Sequence, residues 1–460
     1  MFDGDPTDRT TLTSPVPSGR WSRLARLGTM ASGVAGGMLA EGARQLARGK
    51  RPQISDLLFT PANARRVADQ LAQLRGAAMK VGQLLSMDAG DLLPPELGDI
   101  LARLRADGRA MPMSQVVGVL DANWGEGWDR HFRQFSFVPV AAASIGQVHR
   151  GETRDGQRLA VKIQYPGVRQ SIDSDIDNVA TLLRISGLLP QGLDLDPLLD
   201  EAKRQLHAEA DYLREGDQLR RYGALLADAR EFIVPSAHAE LTTGNVLAMS
   251  YVDGVPVESL VDAPQAERDR VARLLFELLF REIFEFRLIQ TDPNFANYRY
   301  DTASRRLVLL DFGATRPYPR DLTDAYRRLI AAAIAGDRPA MSAAAAAIGY
   351  FRDDIHERQR QAVLDIFVLA CEPLRQAGDY DFGRTDLAAR IRDAGLALST
   401  KTDSWHTPPA DAIFLHRKLG GTFLLAARLK ARVNVQALVQ RHRVPVKVPQ
   451  RNPRRPGAPA

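Results

Sequence analysis

Between Phe132 and Val168 the apolar residues change their period, and that change limits the folds open to this chain. The stretch "FRQFSFVPVAAASIGQVHRGETRDGQRLAVKIQYPGV" alternates apolar and polar residues, the two-residue repeat of strands with unlike faces. "TRDGQ" divides it, and Asp-Gly supplies the backbone freedom of a tight reversal. Three antiparallel strands are predicted. Helical periods lie on either side. Upstream, Val67, Leu71, Leu74, Ala78, Val81 and Leu85 recur at three and four, the stripe of an amphipathic helix. The pattern restarts after Pro94-Pro95, so a helical module fills roughly 55–120. Downstream, helical spacing returns over 170–225, and "EFIVPSAHAELTTGNVLAMSYVDG" reads as two more strands, the second ending at Gly254. The rest is mostly helical to about 440, interrupted by "NYRYD" and "RLVLLDF", two short strands joined by a polar turn. Helices, a small sheet, helices, then a hairpin inside a helical region make an α+β chain.

At 460 residues with 45% hydrophobic content, there is material for two or three domains. The net charge of +6 suits anionic partners without naming one. Part of it is local. "RHRVPVKVPQRNPRRPGAPA" carries six Lys or Arg and no acid, and its prolines predict an unpacked tail. Cys371 is the single cysteine, which leaves no intrachain disulfide and fits a reducing compartment. The most apolar segment, "LGTMASGVAGGMLAEG", is uncharged for 14 residues, short of the ~20 a spanning helix needs. It contains Gly33-x-x-x-Gly37 behind Arg20, Arg23 and Arg26. Two readings stand: an interfacial or homodimer-forming helix, or a small-residue helix packed on the protein itself. Residues 1–19 are polar, Pro-rich and hold three Asp, unlike a cleaved signal peptide.

The candidate chemistry gathers around "FRLIQTDPNFANYRYDTASRRLVLLDFGATR". Asp292 precedes Asn297 by five residues, and a hairpin then leads to Asp311-Phe312-Gly313. Kinase catalytic loops share this Asp-x4-Asn spacing and the later Asp-Phe-Gly. The first Asp orients or deprotonates the nucleophile, while Asn and the second Asp hold Mg2+ against the phosphates of ATP. A second copy, Asp381-Phe382-Gly383, lacks the upstream Asp-x4-Asn and the preceding apolar strand. It reads as a polar turn between helices and as a decoy. In "LAVKIQY" Lys162 lies on the last of the three strands, where a kinase lysine contacts the α and β phosphates and pairs with a helix Glu. Glu209 and Glu215 of "HAEADYLREGDQLRRY" both remain open as that partner. Ahead of the strand, Ala141, Ala142, Ala143 and Ser144 stand where a kinase has its Gly-rich phosphate turn. Alanine permits close approach but not the positive φ that glycine adopts, which predicts a stiffer loop or, on the plainer reading, an ordinary small-residue turn.

Taken in order, "KVGQLLSM", "AAASIGQVH", "AVKIQYPGV", "EADYLRE", "QTDPNFAN" and "LLDFGATR" resemble the UbiB-like (AarF-domain) atypical kinases, and most of all their mitochondrial coenzyme Q branch. "LHRKLGGTFLLAARLKARV" resembles that branch's C-terminal segment. The resemblance spans about residues 25–435. It implies a two-lobed protein-kinase-like fold with an N-terminal helical extension, ATP and Mg2+ as cofactors, ATPase activity, and support of ubiquinone biosynthesis at a membrane. It makes Lys162 with Glu215 the phosphate-binding ion pair and Asp292 the catalytic Asp. Asn297 and Asp311 become the metal ligands, and Ala141–Ser144 with Ile145, Gly146 and Gln147 the nucleotide loop. Lys80, Gly82 and Gln83 of Lys-x-Gly-Gln, with Glu209 and Asp211 of Glu-x-Asp, form the family's own module, which in relatives covers the protein-substrate site. Gln290 and Asn294 stand where many members have His, and the two C-terminal transmembrane helices of some bacterial relatives are missing.

The expected layout is a disordered 1–24, a helical extension over 25–125, a small lobe over 126–254, a large lobe over 255–438 and a tail over 439–460. After Asp311 the chain enters "ATRPYPRDLTDAYRRLI" without an activation loop or Ala-Pro-Glu, which disfavours phosphorylation of proteins in trans. The expected partners are ATP, quinone-biosynthesis enzymes or quinone and phenolic precursors, and acidic lipid, but not nucleic acid. The expected location is cytoplasmic with peripheral membrane association. Two rival functions are a small-molecule phosphotransferase of the aminoglycoside or choline kinase type, and a lipid-binding scaffold switched by nucleotide.

Overall fold

The computed structural model describes residues 76–78, 80–82, 110–186, 195–351, 355–399 and 408–442. The Gly33-x-x-x-Gly37 stretch, Gln83 and the basic tail beyond His442 lie outside them. Two compact units divide the described residues. The first runs to Gly223 and takes in Pro235–Val252; the second joins Ala224–Val234 to everything from Asp253 onward.

In the first unit, β1 (Phe132–Phe135), β2 (Ala141–Ala142), β3 (Gly146–Thr153) and β4 (Arg158–Gln164) follow the alternating stretch. β4 pairs antiparallel with both β3 and β6 (Val246–Ser250), in the order β1-β3-β4-β6, with the short β2 also on β3. The Asp155-Gly156 reversal closes with Gly156 at φ +85 and Gly156 N–H donating to Thr153 O at 3.0 Å. β4 lies inside the sheet, and both its faces are covered. Leu159, Val161 and Ile163 join Leu120 of α1 (Met113–Trp124), Trp128 and Phe132 in one core. The alternate residues, Lys162 among them, face the other side, where α2 (Val168–Ser186), α3 (Asp196–Glu209) and α4 (Tyr212–Leu225) follow. Ala77, Ala78 and Val81 of the upstream helical residues, with Ile145, pack into the core of those helices.

One expected strand goes elsewhere. β5 (Phe232–Ile233) pairs parallel with β10 (Arg306–Leu309) in the second unit, not with the first unit's sheet. There the sheet runs β5-β10-β9-β7, with β7 (Val255–Pro256) and β9 (Tyr298–Asp301) completing it. The β9–β10 hairpin forms in the expected place, Tyr298 opposite Leu309. A second ladder joins β8 (Leu288–Gln290) to β11 (Thr315–Pro317). α5 (Gln265–Arg281) is buried along Val271, Leu274, Leu275 and Leu278, and ends in a π turn, Glu282–Phe286, with Arg287 at φ +49. The alanine-rich stretch forms α6 (Arg320–Ala335) and α7 (Arg338–Ile348). They are punctuated by Gly336 in the left-handed region and by Asp337, whose carboxylate accepts from Ala340 N–H. Further on come α8 (Glu357–Ala370), α9 (Glu372–Arg375), α10 (Leu387–Ser399), α11 (Ala410–Arg428) and α12 (Val435–Arg441). Among the described residues no helix is long and apolar enough to cross a membrane.

Candidate nucleotide and metal site

The first unit holds two ion pairs built from one helical corner. α3 ends at Glu209, and Asp211 starts the next helix: its carboxylate accepts from Arg214 N–H at 3.1 Å. That cap positions α4 and therefore Glu215. Glu215 Oε1 lies 2.6 Å from Lys162 Nζ, both buried. Of the two acids open from sequence, Glu215 is thus the partner of Lys162. Glu209 has other work. Its Oε1 meets Lys80 Nζ, and its Oε2 accepts from Ser144 Oγ at 3.0 Å. The helix bearing Lys80 is consequently tied to the alanine turn through one carboxylate. Gly76 lies so close that an added Cβ would sit 2.8 Å from Ser144 O.

The alanine turn is a tight one. Ala143 N–H donates to Gly146 O at 2.8 Å, and β2 lies on β3 with Ala142 opposite Gln147. Ala141 and Ala142 are exposed, and Ser144 partly so. Gly146 is required, since a Cβ there would fall 2.3 Å from Ile163 O. Ile145 points into the core. Gln147 is buried, with its side chain committed to the sheet: Oε1 accepts from Met111 N–H at 2.9 Å, and the amide nitrogen donates to His149 Nε2 at 2.8 Å. His149 must then carry its proton on Nδ1, which donates to Ser136 O at 2.9 Å, and burial lowers its pKa, favouring that neutral form.

In the second unit, the 291–297 loop is fastened to the turn after β10. Leu310 N–H donates to Asn297 O at 3.0 Å, and Thr291 Oγ1 to Ala314 O at 2.8 Å. That sets Asn297 beside Leu310, the residue before Asp311. Asn297 Nδ2 donates to Asp292 Oδ2 at 3.2 Å and to Asp292 O at 3.3 Å. With its NH2 so occupied, the amide oxygen is the atom left to ligate. An amide oxygen beside a carboxylate is a hard donor set of few protein ligands, which suits Mg2+ shared with phosphates and water. The residues fit the metal.

Two contacts on the Asp292-Pro293 pair were not assigned from sequence. Arg417 Nη2 of α11 lies 3.3 Å from Asp292 Oδ1, and a Cβ on Gly421 would fall 2.1 Å from Pro293 Cβ. The signal was present in "HRKLGG", two basic residues and two glycines inside an apolar helix, where charge is costly unless it is paired. The other Asp-Phe-Gly corrects an expectation. Residues 380–381 form β12, paired with β13 (Arg432–Val433), and Tyr380 and Phe382 are buried, so the turn is seated in the core by its rings and is not simply polar.

A small antiparallel sheet with a buried Lys–Glu pair, and an Asp-x4-Asn loop bonded to an Asp-Phe-Gly turn, define a kinase-like protein. Residues 103–345 match the model of the ABC1 atypical kinase-like domain, and the chain belongs to that family. It is similar to the mitochondrial atypical kinase COQ8 of Saccharomyces cerevisiae, 38% identical over 93% of this chain and 85% of that one. It is also similar to the mitochondrial atypical kinase COQ8B of Rattus norvegicus, 39% identical over 92% and 80%. Among solved structures, the Rv3197–erythromycin complex from Mycobacterium tuberculosis matches with TM-score 0.57 and 26% identity, over 80% of this chain and 93% of that one. The chain is an α+β enzyme of the atypical kinase class.

Proposed function

We propose that this protein binds ATP with Mg2+ and hydrolyses it in support of ubiquinone biosynthesis, at a membrane surface. The observation that carries this reading is the hydrogen bond from the Asn297 amide to Asp292, in a loop that is itself bonded to the residue before Asp311. Asn297 and Asp311 would hold Mg2+, which neutralises charge developing on the phosphates. Asp292 is the base or orienting group for water or an acceptor hydroxyl. Lys162, kept extended by Glu215, takes the α and β phosphates, and the backbone of residues 141–147 lies along the nucleotide. Lys80 and Glu209 restrain the alanine turn, and Gly82, Gln83 and Asp211 belong with them to the family's own module. The partners are enzymes or phenolic precursors of the quinone pathway and acidic lipid, the last reached peripherally.

The test is ATP hydrolysis by the purified chain with and without magnesium, and quinone intermediates in cells lacking the gene. Asp292→Asn is expected to abolish both hydrolysis and rescue while nucleotide still binds. Rescue by Asp292→Asn would replace the enzyme with a nucleotide-switched scaffold.

A further inference from the structure

The 291–297 loop has little regular structure beyond the Phe295–Asn297 turn, so its shape depends on what grips its ends. One cation grips both. Lys418 Nζ of α11 donates to the Tyr298 hydroxyl at 2.8 Å and reaches Gln290 Oε1 at 3.5 Å. Gln290 is the last residue of β8 and Tyr298 the first of β9. A third partner, Glu282 Oε2 at 3.0 Å, comes from the π turn. Lys418 and Glu282 are 2% and 1% exposed, and Gln290 and Tyr298 are buried with them. Burial opposes the ammonium charge, but Glu282 and Tyr298 outweigh it and raise the lysine pKa.

A buried ion pair is seldom kept for stability alone, since a well-packed neutral pair serves as well. Glu282 would satisfy the charge of Lys418 by itself. The two remaining contacts go to neutral groups at the two ends of one loop, and a charge-assisted hydrogen bond is the stronger kind. We propose that Lys418 is a positioning residue: by holding Gln290 and Tyr298 together it sets the span of the 291–297 loop, and with it the orientation of Asn297 against Asp292. The proposal rests on the reading that this loop handles magnesium–ATP. Lys418 touches no reacting atom.

Lys418→Met alone leaves Glu282 charged in the interior and can unfold the chain. The informative variant is Lys418→Met with Glu282→Gln, which removes both charges. Amide hydrogen exchange is measured on the full chain without nucleotide, alongside the thermal midpoint and the magnesium dependence of ATP hydrolysis. The expected result is a nearly unchanged midpoint with exchange at residues 291–298 faster by roughly tenfold to a hundredfold, the loss of a hydrogen bond to a charged group. Exchange in α11 stays as in the wild type, and half-saturation by magnesium rises roughly tenfold. Tyr298→Phe, which deletes only the acceptor oxygen, gives a smaller change in the same segment and decides the matter if the double variant is unstable. Unchanged exchange at 291–298, an equal rise throughout α11, or a wild-type magnesium dependence in an active variant overturns the proposal. Wild-type protein that leaves ATP intact removes the functional reading instead, and the exchange pattern still decides the role of Lys418.

Discussion

Asp311-Phe312-Gly313 and Asp381-Phe382-Gly383 fold alike and keep different company. In each, the glycine N–H donates to the aspartate Oδ1 at 3.0 Å, and each phenylalanine is 2% exposed. The tripeptide thus encodes a turn: a carboxylate folded back on its own backbone and a phenyl ring driven inward. Beyond the turn they diverge. The first follows β10, where Leu310 is bonded to Asn297. In the second, Asp381 faces Arg432 at 3.3 Å and Arg384 at 3.8 Å, and Phe382 stacks on Phe276 and meets Phe423 and Tyr380 edge-on. The same local structure is a metal-ligand candidate in one place and a structural staple in the other.

The sharpest way to break that contrast is to neutralise both aspartates. Asp311→Asn should lower ATP hydrolysis by about a hundredfold to a thousandfold, the cost of losing a group that stabilises developing charge. Asp381→Asn should leave it within about twofold, since its arginine partners are 50% and 84% exposed. Equal losses in steady-state assays would mean that the second copy is not a bystander. Next in size, Phe382→Ala should cost about 3–5 kcal/mol in denaturant unfolding, because its ring fills a packed aromatic cluster. Gly421→Ala should destabilise by about 1–3 kcal/mol through overpacking on Pro293. Its neighbour Gly420, with open space at its Cβ position, should gain about 0.5–1 kcal/mol from the same change. Smallest of all, Arg432→Ala should change the unfolding free energy by less than about 1 kcal/mol. A larger shift would show that the second copy depends on its charges more than on its rings.

Much of the candidate site was legible because its spacing is local. Asp292, Asn297 and Asp311 lie on one loop and one hairpin, so twenty residues of sequence carry their geometry. The alternation around Lys162 likewise announced a strand. It could not say that α4 lays Glu215 over that face, which is why a lysine there is buried against Glu215 and not turned to water. Gln147 belonged to a recognisable motif, yet its side chain serves Met111 and His149 on the sheet. The short β5 read correctly as a strand, but its partner is β10 and not the first unit's sheet, because a strand's periodicity says nothing about which edge accepts it.

What the residues determined alone is whatever depends on near neighbours: the period of each element, the Asp-Gly reversal, the glycine stops, and the turn that Asp-Phe-Gly makes twice. Tertiary structure alone decided which carboxylate meets which cation. Glu209 and Glu215 stand six residues apart, yet they answer to Lys80 and Lys162, because the cap at Asp211 breaks the helix between them and resets its phase. Lys418 finds Gln290 and Tyr298 across more than a hundred residues. A buried charge takes the partners that packing leaves within reach, and packing belongs to the whole chain.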